Sequence, residues 1–384
     1  MINKLYLDYA AATPIDSTVL DQMLGSLQYF ANPSSSHSLG MEARKVLHQQ
    51  KQRIAMVIGA KTQDIILTSG GSESDNLALH KLKLGQDPVV ITTHAEHKAS
   101  AKSIEALGLE TFYLDLDQKG RINLIEFERI LKLDRPTLVV IGMISIEVGL
   151  VRDLKLIKKI IYDDRKRRSD QQVDHSIYWH CDGSGAGGLL PYRVEAIGAD
   201  SLSLNAAKIY GPKGSGALYL SDRAKKLISP LVLGGGQQAG LRSGTESIFL
   251  ATGLASALEL SDKKRKLEVQ RLRDLKKLFA RLIQAELPSE SVIINSSSDY
   301  HLANYLHLSL PGRRGLELMS QLDARGVIVS TSSACDASDQ EVSPVLLALG
   351  MELELASSSL RVTLGRATSN DDIIRLVKGL KEII

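Results

Sequence analysis

Lys208 lies in Ser203-Leu204-Asn205-Ala206-Ala207-Lys208-Ile209-Tyr210-Gly211-Pro212-Lys213-Gly214, after an apolar run and before a turn built for tight backbone bends. A lysine partly withdrawn from water has a lowered pKa, so its amine can attack a carbonyl, form an imine and later move protons. Taken alone, it is better read as a surface cation beside a Gly-Pro turn. Asp182, in Trp179-His180-Cys181-Asp182, ends another apolar strand. A carboxylate at that depth could pair with a protonated pyridine nitrogen and strengthen an electron sink, although by itself a helix N-cap is the preferred reading. His97, in Ala95-Glu96-His97-Lys98, falls just after a strand. Its imidazole could stack on a planar group and shuttle protons near neutral pH, or it is a surface histidine.

Thr68-Ser69-Gly70-Gly71-Ser72-Glu73-Ser74-Asp75-Asn76 follows a strand and precedes a helical pattern beginning near Leu77. Glycines such as Gly71 let backbone N–H groups approach a phosphate, and Ser72 can add a hydroxyl at the positive helix end. A capped strand-to-helix turn without a ligand would look the same. Cys335, in Ser330-Thr331-Ser332-Ser333-Ala334-Cys335-Asp336-Ala337-Ser338, sits in a small polar stretch that suits an exposed loop. Exposure would permit thiolate chemistry, whereas most lone cysteines are buried and inert. Arg361, in Ser359-Leu360-Arg361-Val362-Thr363-Leu364-Gly365-Arg366, offers a guanidinium fork able to clamp a carboxylate.

The elements that must position these groups alternate. Asp64 to Thr68, Val89 to Thr92, Thr137 to Ile141, Ile177 to Trp179 and Ala217 to Leu220 are short, β-branched runs separated by helical patterns. They predict an α/β fold with a mostly parallel sheet, in which ligands gather at the carboxyl ends of the strands. From about Ser247 to Leu287 the pattern turns helical and charge-rich, and a domain boundary is placed near it. The basic runs Lys263-Lys264-Arg265-Lys266 and Arg165-Lys166-Arg167-Arg168 read as solvated helix faces or loops.

The chain has 384 residues, 43% of them hydrophobic, enough for a large core. Its formal net charge is +3, and no aromatic-interleaved basic stripe accompanies it, so nucleic-acid binding is not implied. The two cysteines, Cys181 and Cys335, have no metal-ligand spacing, which argues against a zinc site or disulfide scaffold. Neither a signal-peptide pattern at the first residues nor an apolar run of about 18 residues is present, so no membrane contact is implied and a cytoplasmic location is the default.

Together these segments resemble the cysteine desulfurases, fold-type I pyridoxal-phosphate enzymes related to class V aminotransferases. The likeness runs nearly end to end. It takes in Tyr6-Leu7-Asp8-Tyr9-Ala10-Ala11-Ala12-Thr13-Pro14, Asn32-Pro33-Ser34-Ser35, the Thr68 to Asn76 turn, Glu96-His97-Lys98, Lys208 to Gly216, Gly234-Gly235-Gly236, Arg242-Ser243-Gly244-Thr245, the Cys335 loop and Arg361 to Arg366.

The resemblance implies a homodimer whose large domain, residues 16–250, carries a seven-stranded sheet. A smaller α/β domain would be made from residues 1–15 with 251–384. It further implies that Lys208 joins the pyridoxal 5'-phosphate cofactor covalently, Asp182 meets the ring nitrogen, and His97 stacks on the ring. Gly71, Ser72 and Asn205 would serve the phosphate end, and Thr245 would reach the phosphate of the neighbouring subunit. Arg361, with Asn32, would bind L-cysteine, and Cys335 would take its sulfur as a persulfide for a sulfur-acceptor protein.

Four positions depart from the family's pattern. Ile146 stands where an asparagine is usual, Gly185 replaces a glutamine, and Asn205 and Ala207 replace a serine and a histidine just before Lys208. Each lost polar contact is worth on the order of 1–3 kcal/mol when its partner is desolvated. The alternatives are therefore a degenerate paralogue that binds or regulates with weak or no cofactor, and a related lyase or transaminase. The Arg165 to Ser176 segment is longer than the family's equivalent. The chain also stops without the C-terminal extension used to dock an iron-sulfur scaffold, so a dedicated acceptor, or none, is expected.

Overall fold

The computed structural model describes residues 4–117, 119–173, 176–296, 300–331 and 342–384. Its central sheet has seven strands, numbered here in chain order: β1 Ile65–Thr68, β2 Val89–Thr92, β3 Glu110–Tyr113, β4 Thr137–Val140, β5 Ile177–Asp182, β6 Ser201–Asn205 and β7 Gly216–Leu220. Their spatial order is β1-β7-β6-β5-β4-β2-β3. Neighbours from β6 through β3 are parallel, whereas β7 runs antiparallel to both β1 and β6. The carboxyl ends of β1, β2, β5 and β6 therefore share one edge.

Side-chain alternation explains the near-continuous apolar runs, because both faces are covered. Ile91, Val139, Trp179 and Leu204 enter one core, while Val90, Leu138, Tyr178 and Leu218 enter the core on the opposite face. Two strands have a different character. β6 alternates Ser201, Ser203 and Asn205 with the core residues Leu202 and Leu204. β3, at the sheet edge, is partly or fully exposed along its length.

The 39-residue helix Ile248–Glu286 ties this layer to a second core. Its first half places Leu254, Ala255 and Leu258 against the central sheet, and its second half places Leu272, Leu275, Phe279 and Ile283 in the second core. There they meet the antiparallel strands Ile293–Ile294, Tyr305–Ser309 and Ser359–Thr363 and the helix Asn370–Lys381. The N-terminal strand Leu5–Tyr6 pairs with Val327–Ile328. The chain then crosses back to the central sheet, where the Thr13 N–H and Oγ1 both donate to Ala207 O, at 2.9 and 3.0 Å.

One expectation is corrected. The Arg165-Lys166-Arg167-Arg168 run is not a solvated face, because Arg168, with a side chain 3% exposed, donates to Asp164 Oδ2 at 2.7 Å. It also donates to the Leu131 and Arg135 carbonyls, both at 2.8 Å, and so caps the end of the helix Leu124–Leu131. Arg165 pairs with Asp200. A guanidinium's several donors let it be buried where carbonyls and carboxylates converge.

Candidate active site

The shared strand edge gathers most of the predicted groups. In β5, residues two apart face the same way, so Tyr178, His180 and Asp182 form one polar stripe while Ile177, Trp179 and Cys181 face the core. In register beside them on β6, Ser201 lies opposite His180 and Ser203 opposite Asp182. The helix Gly71–Leu79 packs over this stripe and sets Asp75 against it. Asp75 Oδ1 lies 3.0 Å from His180 Nε2 and accepts from Ser203 Oγ at 2.5 Å, and its Oδ2 accepts from Ser100 Oγ at 3.0 Å.

Asp182 is 8% exposed and accepts from the Ser184 N–H at 2.8 Å. Burial raises its carboxyl to about 6, the charge of Asp75 adds to the rise, and His97 opposes it. Side-chain ligand atoms of Asp75, His97 and Asp182 all fall within 4.8 Å of one another. His97 is fixed as the N-cap of the helix Lys98–Glu105, its Nδ1 accepting from the Ala99 N–H at 3.2 Å. Lys208 is half-buried, and its Nζ donates to Ala10 O at 2.5 Å and Ala11 O at 2.8 Å, so the N-terminal strap forms one wall of its site.

At the start of the Gly71–Leu79 helix, Gly70 supplies no side-chain cap to the first-turn N–H groups. A Cβ on Gly71 would stand 2.4 Å from Ser184 Oγ and 3.7 Å from Asn205 Nδ2, so the glycine lets these polar side chains come close to the helix start. Ser72 is exposed at this turn. Asn205 Oδ1 accepts from the Ala207 N–H at 3.1 Å. Arg361 is 8% exposed and donates through Nη2 to Asp8 Oδ1 at 3.0 Å.

Two candidates have no hydrogen bond to this cluster among the described residues. Asn32 is exposed, its Oδ1 accepting from the Ser34 N–H at 2.9 Å, and Thr245 is exposed just ahead of the long helix. Cys335 lies outside the described residues. The sequence reading passed over Asp75, His180 and Asp8. The alternation of Tyr178-Trp179-His180-Cys181-Asp182 and of Ser201-Leu202-Ser203-Leu204-Asn205 was the available signal for a buried polar stripe.

These residues fit the two ends of a pyridoxal phosphate. The uncapped helix start beside Gly71 suits a dianion, and a buried carboxylate of raised proton affinity suits a ring nitrogen that shares its proton. Lys208 stands by the same strand edge. The fit is apolar on one side. A Cβ on Gly185 would meet Ile144 Cδ1 at 3.0 Å and Ile146 Cδ1 at 3.3 Å, so the two isoleucines occupy the space around Gly185 and present no donor.

Comparisons with known proteins bear on the family and the fold. The aminotransferase class-V family model matches residues 5–376. Cysteine desulfurase IscS of Dictyoglomus turgidum is 35% identical over 391 residues, covering 100% of this chain and 95% of its own. Cysteine desulfurase of Homo sapiens is 33% identical over 398 residues, covering 100% of this chain and 84% of its own. Among solved structures, a NifS-like protein superposes with a TM-score of 0.87 at 27% identity over 99% of both chains. SspA in complex with cysteine does so with a TM-score of 0.77 at 30% identity, over 94% of this chain and 99% of its own. A buried carboxylate, a capping histidine and a lysine on one strand edge, carried by a chain that matches end to end, place this protein in the cysteine desulfurase family of class V aminotransferases.

Proposed function

We propose that the protein is a pyridoxal 5'-phosphate-dependent cysteine desulfurase that converts L-cysteine to L-alanine and passes the sulfur to Cys335 as a persulfide. The observation that carries this reading is the convergence of Asp182, His97, Lys208 and the uncapped Gly71 turn at one edge of the sheet. When bound, the cofactor supplies an electron sink that lets the substrate shed its α-proton. Asp182 would hold the ring nitrogen's proton and His97 would pack on the ring. Gly71, Ser72 and Asn205 would face the phosphate.

Lys208 Nζ would leave the Ala10 and Ala11 carbonyls, join the cofactor and afterwards carry the α-proton. Arg361 would exchange Asp8 for the substrate carboxylate, a bidentate partner of the same charge. The cysteine C–S bond breaks as the sulfur bonds to the Cys335 sulfur and the β-carbon gains a proton. Cysteine and a thiol thus become alanine and a persulfide, with no external oxidant.

A homodimer is part of this proposal. Phe30 and Leu233 are both 82% exposed, Leu24, Leu27, Leu39 and Met41 are exposed nearby in sequence, and Gln237 Nε2 donates to Ser34 Oγ at 3.4 Å, joining the two segments. Such an apolar surface beside the Thr245 segment suits a second copy, toward which Thr245 would point. A sulfur-acceptor protein and a cytoplasmic location complete the reading. No described helix is long and apolar enough to cross a membrane. We also propose two domains, residues 16–250 and 1–15 with 251–384, supported by the two cores that the Ile248–Glu286 helix joins. The degenerate-paralogue and lyase or transaminase alternatives find no favour among the relatives.

Cofactor-loaded protein is expected to release alanine and, with a thiol reductant, sulfide from L-cysteine in equal amounts. Cys335→Ala is expected to keep the cofactor and lose sulfide release. Sulfide release that survives Cys335→Ala would overturn the persulfide role.

A further inference from the structure

We propose that Asp75, clasped by His180, Ser203 and Ser100, is a positioning residue that sets the proton affinity of Asp182. The proposal deepens the reading of Asp182 as the carboxylate facing the cofactor ring and rests on it. Asp75 is 1% exposed, and its three partners His180, Ser203 and Ser100 are each fully buried. Those contacts, at 3.0, 2.5 and 3.0 Å, fix the carboxyl from three different elements: β5, β6 and the helix Lys98–Glu105. Nothing in the phosphate turn or the lysine strap requires a carboxylate at this place.

His180 is itself held. Its Nδ1 lies 2.8 Å from Ser201 Oγ, which lies 2.7 Å from the Tyr178 hydroxyl, and that hydroxyl is 3.2 Å from Ala78 O. With its Nε2–H donated to Asp75, the neutral ring accepts the Ser201 hydroxyl proton at Nδ1, and Ser201 Oγ in turn accepts from the Tyr178 hydroxyl. Protons running in that direction keep the clasp on Asp75.

Asp75 and Asp182 each bring a carboxyl oxygen within 4.8 Å of the other and of a His97 nitrogen, with no hydrogen bond between the two carboxyls among the described residues. Their coupling acts through space between two buried carboxyls, where a charge reaches further than at the surface. The other groups that face Asp182 do not compete. Glu96 lies 3.9 Å from Arg152 and takes hydrogen bonds from the Gly142 N–H and Thr93 Oγ1. Burial pushes Cys181 up, and pushes Tyr192 up to about 12, so both stay neutral. Asp75, with the His180 imidazole clasped to it, and His97 remain as the charged or chargeable neighbours of Asp182, and burial with the Asp75 charge accounts for the direction of its shift. A second carboxylate behind the first holds a proton at the ring-nitrogen end of the site, where an electron sink requires it.

The test is a carboxyl-carbon NMR titration of aspartate-labelled, cofactor-free protein, with the Asp182 resonance assigned by its loss in Asp182→Asn. The wild-type midpoint is expected near 6. Folded Asp75→Asn or Asp75→Ser is expected to lower it by about one pH unit, a tenfold loss of proton affinity. His180→Gln, which keeps a donor to Asp75, is expected to leave it in place. A folded neutral variant whose Asp182 midpoint does not move overturns the proposal, and so does failure of both neutral variants to fold, which assigns Asp75 to the core alone. Pyridoxal phosphate binding is measured alongside, and Asp75→Asn is expected to bind about tenfold more weakly than wild type at about pH 8, above both midpoints. Failure of wild-type protein to take the cofactor would sink the desulfurase reading and leave the carboxyl titration standing.

Discussion

Ile146 and Gly185 are expected to be energetically coupled, because Ile146, together with Ile144, fills the space that a side chain at 185 would need. A Cβ on Gly185 would lie 3.0 and 3.1 Å from Ile144 Cδ1 and Cγ1 and 3.3 Å from Ile146 Cδ1. Carbon atoms prefer about 3.5–4.0 Å, so Gly185→Gln overpacks the site at a cost of about 2 kcal/mol. Ile146→Asn removes half-buried apolar packing and brings in an amide without a partner, again costing about 2 kcal/mol. In the double variant the shorter asparagine side chain relieves the Ile146 contact while the closer Ile144 contacts remain, and the two amides can bond. The combined cost should then be about 3 instead of about 4 kcal/mol, a coupling of about 1 kcal/mol. Urea unfolding of the four proteins at a common m-value measures it. If the pair also faces the cofactor, the double variant should hold pyridoxal phosphate about tenfold more tightly than wild type. Costs that add to within about 0.5 kcal/mol would refute the reasoning.

Gly71→Ala places a Cβ 2.4 Å from Ser184 Oγ and is expected to weaken pyridoxal phosphate binding about tenfold, while phosphate-free pyridoxal is unaffected; equilibrium titration with both ligands checks it. Asp182, raised in the fold to about 6 from an ordinary 3.8, stabilises the cofactor-free protein below pH 4 and loses that contribution as pH rises through 6. Asp182→Asn should therefore stabilise the cofactor-free chain by up to about 3 kcal/mol at pH 7.5, with no gain at pH 4, as read by denaturant unfolding at the two pH values. A gain equal at both pH values would show that the carboxyl charge is not the cause.

The placement of Lys208, His97 and Asp182 was readable because each follows an apolar run, and parallel strands bring their carboxyl ends to one edge. The polar stripe behind them was present as alternation in β5 and β6. It was passed over because β6 mixes serine with leucine and does not look like a strand by composition. β3 was missed for the opposite reason: at the edge it needs little apolar surface. The Arg165 to Arg168 run misled because charge density alone does not reveal which carbonyls a folded chain will turn toward a guanidinium. The complementarity of Ile146 and Gly185 and the pairing of Arg361 with Asp8 join segments distant in sequence, and only the packed chain displays them.

The most direct test of the account is covalent cofactor capture at Lys208. Purified protein is incubated with pyridoxal phosphate, reduced with borohydride, digested and analysed by mass spectrometry, with Lys208→Ala in parallel. A phosphopyridoxyl group is expected on the peptide containing Lys208, with visible absorbance that Lys208→Ala abolishes. Protein that stays colourless with added cofactor, or a modification spread over other lysines and unchanged by Lys208→Ala, would contradict it.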